Sequence, residues 1–118
     1  MILNVFERLL VRNIMPQVQG NFGHIREARE VVESLFTPIE EESLQIHIVG
    51  DGARVEWRTE DNEHHPIPQE KDVAISPGLV KKIAAVLIRL DGEERLTMEQ
   101  YSLYEKFVKV DNPEKVAG

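Results

Sequence analysis

The sequence predicts an α+β fold: a mainly helical single domain of about five helices, with a small three-stranded antiparallel sheet in the middle of the chain. Apolar residues recur every three to four positions in the first third and again after Pro77. Between these stretches, strand-type residues alternate on both sides of Gly50-Asp51-Gly52. A length of 118 residues with 42% hydrophobic side chains supports one core and is too short for two ordinary domains.

Residues 2–14 place Ile2, Phe6, Leu9 and Leu10 on one side and Asn4, Glu7, Arg8 and Arg12 on the other, the pattern of an amphipathic helix with a solvated charged side. Pro16 ends this helix because it lacks the N–H the next turn needs, and Gly20-Asn21 turns the chain. A second helix begins near Gly23, with Ile25, Ala28, Val32 and Leu35 inward and the Arg26/Glu30 and Arg29/Glu33 pairs on its wet face. Thr37-Pro38-Ile39-Glu40 is a capping box with proline at the first helical position, and it opens a short third helix through about Leu44.

Residues 46–49 and 53–58 form the two arms of a hairpin, with His47 facing solvent and Trp57 in the core. Residues 59–70 have no periodicity and contain Pro66 and Pro68, so they read as a mobile loop. Lys71 to Ile75 alternates as the third strand. Ser76-Pro77 then caps a helix that turns Val80, Ile83, Ala84, Leu87 and Leu90 inward and ends at Asp91-Gly92. Thr97-Met98-Glu99-Gln100 is a second capping box, opening a final helix whose apolar side is Tyr101, Leu103, Tyr104, Phe107 and Val108. The globular domain is thus residues 1–110, and residues 111–118 read as a flexible C-terminal tail.

The net charge of -7 is unevenly placed. Both ends of the chain balance, while residues 37–72 carry ten carboxylates against Arg54, Arg58 and Lys71. Charge of this kind ordinarily solvates loops; its functional reading is an anionic docking surface for a basic protein, with Glu40, Glu41, Glu42, Glu60, Asp61 and Glu63 as its residues. The first helix carries more apolar surface than one contact stripe needs, so Leu3, Phe6 and Leu10 are candidate contacts with a second copy in a homodimer.

The absence of cysteine removes disulfides, thiolate metal sites, Fe–S clusters and cysteine nucleophiles. The four histidines form neither HxxxH nor HExxH, so no metal site and no cofactor is expected, and Ser76 is explained as a helix cap before it is a nucleophile. Gly50-Asp51-Gly52 has hairpin chemistry and lacks a phosphate-loop pattern. The final helix offers Met98, Glu99 and Gln100 where a DNA-reading helix would present cations and donors, so direct nucleic-acid binding is not expected. Glu7, Arg8 and Arg12 interrupt the N-terminal apolar stretch, which is too short for a membrane span, and the same charges argue against a signal peptide, so a cytoplasmic location is the expectation.

Several stretches together resemble a family of small acidic phage and prophage proteins of unknown function. They are Leu9-Leu10 leading into Asn13-Ile14-Met15-Pro16, the Gly20 turn, Leu35-Phe36 before an acidic run, Val55-Glu56-Trp57, the strand-to-Pro77 transition, and Leu96-Thr97 running to Ser102-Leu103-Tyr104-Glu105-Lys106-Phe107. Asn21 and the long segment 59–70 depart from the family pattern. The resemblance implies a mobile-element context and carries no catalytic residues. The expected function is therefore that of a non-enzymatic phage-type accessory protein acting by binding another protein. The rival is a small metal-dependent hydrolase using His24, His64 or His65.

Overall fold

A computed structural model describes residues 1–50 and 54–109. Strand β1 (Ile2–Leu3) leads into α1 (Val5–Ile14), and a 3-10 turn over Met15–Gln17 carries the chain to α2 (Phe22–Ser34) and α3 (Pro38–Leu44). The hairpin β2 (His47–Val49) and β3 (Arg54–Glu56) follows, then β4 (Lys71–Asp72), α4 (Pro77–Gly92) and the short α5 (Tyr101–Tyr104), which continues as a π-helical stretch over Glu105–Lys109. The expected C-terminal tail, 111–118, and the middle of the glycine loop lie outside the described residues. Among the described residues no helix is long and apolar enough to cross a membrane.

The mixed α+β class holds, but the single three-stranded sheet does not form. Two separate two-stranded antiparallel sheets take its place: β2 pairs with β3 through Ile48 opposite Val55, and β4 pairs with β1 through Ile2 opposite Asp72. The cause lies at Asn4. Its side chain accepts from the Glu7 N–H at 2.8 Å while the Glu7 carboxylate accepts from the Asn4 N–H at 2.9 Å, a capping box that starts α1 at Val5 and leaves Ile2 and Leu3 extended. Their partner is the segment that reads as a third strand of the hairpin sheet, now shortened to two residues and anchored by the Val73 N–H donating to Met1 O at 2.8 Å.

The caps at Thr37 and Ser76 follow the sequence, accepting the N–H of Glu40 and of Leu79, while Asn21, expected as a turn residue, is itself the cap that accepts the His24 N–H and starts α2 at Phe22. The α4 cap is tied to α2 as well, since Ser76 donates from its hydroxyl to Glu27 at 2.7 Å and from its N–H at 3.1 Å. Helix α4 is the central pillar of the core: Leu79, Ile83, Ala84, Val86, Leu87 and Leu90 are buried against α2, α5 and the π-helical stretch, where Leu103, Phe107 and Val108 are fully covered. Tyr101, expected on that apolar side, is 62% exposed, because the final helix is broken into 3-10, α and π turns that rotate it outward.

The expectation that α1 presents its charges to water fails at two positions. Glu7 and Arg8 are buried, and only Arg12 and Asn13 on the C-terminal half are exposed. Lys106 donates to Glu7 at 2.7 Å. Burial opposes ionisation of Glu7, but hydrogen bonds from the Asn4 backbone and from Lys106 outweigh it and hold the carboxyl below its ordinary range. Arg8, with a fully covered side chain, donates to Leu35 O at 2.9 Å, to Glu40 at 2.8 Å and to Gln69 O at 3.0 Å, with its guanidinium 4.6 Å above the Phe36 ring. Lys71 reaches the other oxygen of Glu40 at 2.6 Å, so one half-buried carboxylate joins two cations from α1 and β4.

Burial opposes the ionised form of Glu40 too, yet Lys71, the Thr37 N–H and Arg8 together lower its pKa from 4.5 to about 2. A carboxylate lowered in the folded state stabilises the fold above its unfolded pKa, and that contribution disappears as the pH falls from 4.5 toward 2. Urea denaturation followed by the fluorescence of Trp57, the one tryptophan, is expected to show wild-type stability falling across this window. Glu40→Gln should lose about 1–3 kcal/mol at neutral pH and show a flatter acid limb. Arg8→Ala removes the cation from two buried carbonyls and a carboxylate at once, and should cost about 3–5 kcal/mol by the same measurement.

Candidate functional site

The turn that joins α1 to α2 leaves a groove of about 390 Å³ beside α2. Its floor and walls are Met15, Pro16 and Val18 from the turn and Ile25, Ala28 and Val32 from α2, with Arg12, Arg29 and Glu33 at the rim. The groove exists because Pro16 ends α1 early and the following turn cannot fill the space beside α2. Gly20 then brings the chain tightly back: a Cβ there would lie 2.9 Å from the His24 Cβ, so only glycine allows this approach. Ile25, expected inward, is 44% exposed in this groove, while Val31 takes its place in the core.

The rim charges are not equivalent. Arg29 pairs with Glu33 at 3.3 Å and Arg26 with Glu30 at 3.6 Å, as the helical spacing foretells. Arg12 has no ion-pair partner among the described residues; its guanidinium lies 5.7 Å from the Phe36 ring and its side chain reaches solvent. An apolar trough with one unpaired cation at its lip is suited to an apolar side chain carried beside an anionic group.

The acidic segment is divided by the fold. Glu40 is withdrawn into the Arg8–Lys71 pair, where its carboxylate is already doubly paired. Glu41, Glu42, Glu60, Asp61 and Glu63 are exposed. Glu42 and Asp61 come together at one shallow depression of about 400 Å³ that Arg58, Pro66 and Ile67 also line. The segment 59–70, expected to be mobile, is closed on itself instead. Asp61 accepts from the N–H groups of Glu63 at 2.8 Å and His65 at 2.9 Å, Asp61 N–H donates to His65 O, and Ile67 N–H donates to Thr59 O at 2.8 Å. The hydrogen bond from the His65 N–H, helped by that from Glu63, holds the Asp61 carboxyl below its ordinary range.

The candidate dimer contacts, Leu3 in β1 and Phe6 and Leu10 in α1, are also used within the chain. Leu3 and Leu10 are buried in the core, and Phe6 stacks on Trp57 at 6.3 Å between ring centres, so all three side chains already have partners within the chain. Trp57 itself is half-buried and donates to Gln69 at 2.9 Å.

The histidines do not converge. His24 packs between Gly20 and Gly78, His47 faces solvent, and His64 and His65 stand beside Glu60 and Asp61 in the loop. Among the described residues no group of three or more His, Asp or Glu side chains is arranged to hold a metal ion. Ser76 Oγ is engaged with Glu27 and the Leu79 N–H, the geometry of a cap. No family model, no curated protein and no solved structure matches this chain.

No sequence pattern marks the groove directly. Its one legible signal was the Pro16–Gly20 spacing, which shortens the connection between two amphipathic helices without supplying side chains to fill the gap. The loop geometry is directly testable: Asp61→Ala should accelerate amide hydrogen exchange at Glu63 and His65 while leaving exchange in α4 unchanged. Equal exchange in both variants would show that the carboxylate does not hold the loop.

Proposed function

We propose that this chain is a non-enzymatic, phage-type accessory protein that binds another protein by receiving an amphipathic acidic segment in the groove between α1 and α2. The observation that carries the reading is the pairing of an apolar trough, lined by Met15, Ile25, Ala28 and Val32, with the unpaired cation of Arg12 at its edge. A helix-in-groove contact needs those two elements, apolar anchors for affinity and a charge to set register. The remaining rim charges are satisfied within α2, so Arg12 selects the sign of the partner.

The experiment places the photocrosslinking residue benzoylphenylalanine at position 25, with position 98 as a control, since Met98 is exposed and lies outside the groove lining. Crosslinking from position 25 to a defined acidic, apolar segment is expected, and none to that segment from position 98. With the crosslinked segment made as a peptide, Ile25→Glu and Arg12→Glu should each weaken binding by about tenfold or more, with raised salt reproducing part of the Arg12 effect. Binding that ignores both substitutions, or measured turnover of a small molecule by the purified chain, overturns the reading.

A further inference from the structure

We propose that the hairpin β2–β3 is a self-association edge whose occupant is β3 of a second copy of this chain, paired antiparallel about Val55. The hairpin stands apart from the core: Ile48 and Val55 face each other across the ladder, yet they are 67% and 37% exposed, and no residue of either strand is buried. A lone two-stranded ribbon is marginal in water, and three or more strands are needed for independent stability. Among the described residues β3 has β2 as its one strand neighbour, so its other edge is open to another strand.

Natural edges are often guarded by charged side chains, and β3 reads Arg54-Val55-Glu56, where the two charges are of opposite sign around a β-branched residue and so can pair across the edge. This order is self-complementary under a two-fold axis. Centred on Val55, the pairing sets each Arg54 opposite the second copy's Glu56, and the two valines opposite each other. Centred on Arg54 or on Glu56, it sets like charges face to face, which is destabilising. A shift by one residue places Val55 on the charged face. The charges thus select one register and one orientation, the isologous arrangement of a C2 dimer.

The resulting four-stranded sheet carries Ile48 and Val55 of both copies as one continuous apolar row, and the Arg54 and Glu56 charges on the opposite face. Little has to be given up to form it. Within the monomer Glu56 lies 3.4 Å from Arg54 and 3.8 Å from His47, and all three side chains are well exposed, so exchanging these contacts for intermolecular ones costs little. This surface is distinct from the α1–α2 groove and shares none of its lining residues.

Sedimentation equilibrium of the full chain in low salt is expected to show a dimer forming as concentration rises to about 500 µM. Arg54→Glu alone and Glu56→Arg alone each create two like-charge oppositions and should weaken dimerisation by about tenfold or more. An equimolar mixture of those two variants restores both complementary pairs and should dimerise as the wild type does, as should the double variant R54E/E56R. Trp57 fluorescence confirms that each variant is folded. A wild-type chain that stays monomeric throughout, a dimer indifferent to either single reversal, or a mixture that fails to recover overturns the proposal.

Discussion

The buried guanidinium of Arg8 is the constraint on which the rest of this structure depends. A fully covered cation must find acceptors, and here they come from three places distant in sequence: the carbonyl at the end of α2, the Glu40 carboxylate of α3 and the Gln69 carbonyl before β4. Leu35 and Phe36 must be held in place for the first contact and the stacking, which sets the sharp turn from α2 into α3. Lys71 then closes the arrangement by sharing Glu40 and donating to Ser34 O, so β4 is held beside β1. Among the described residues the Arg8 Nε has no acceptor, a cost the other contacts offset.

Placing charge inside has a second consequence, for the surface. The segment from 37 to 72 is the acidic part of the chain, and the structure uses its carboxylates unevenly. Glu40 neutralises two cations, Asp61 organises its own loop through backbone N–H groups, and Glu41, Glu42, Glu60 and Glu63 remain in solvent. Density of charge along the sequence therefore overstates the density of free charge on the surface, because carboxylates that satisfy cations or amides cannot also bind a partner without breaking those bonds.

What the core leaves uncovered falls into two unlike surfaces. The α1–α2 groove is concave, apolar and edged by an unpaired cation, suited to receiving a side chain. The β2–β3 hairpin is a projecting ribbon with an open edge and charges of both signs, suited to extending a sheet. The groove is floored by the core residues Met15, Val18 and Ala28, whereas no residue of either hairpin strand is buried, so a partner on the hairpin would add order where the monomer has least burial.

Local chemistry was legible in the sequence wherever one short segment decides the outcome. The caps at Thr37, Ser76 and Thr97, the proline end of α1, the ion pairs along α2 and the existence of the hairpin all depend on neighbours within a few residues, and each appears in the structure, although the hairpin pairs Val49 with Arg54 and so takes a register one residue off that of a three-residue loop. The Asn4–Glu7 capping box is equally local, and it separates Ile2 and Leu3 from α1. Tertiary structure alone decided which charges are inside, which strands pair and where a groove remains. Arg8 and Arg12 sit one turn apart on the same helix and look alike in the sequence; one is buried and one is free because acceptors from α2, α3 and the segment before β4 converge on the first and not on the second. Periodicity records the face a residue shares with its own helix, and the burial of a charge is set by partners that arrive from elsewhere in the chain.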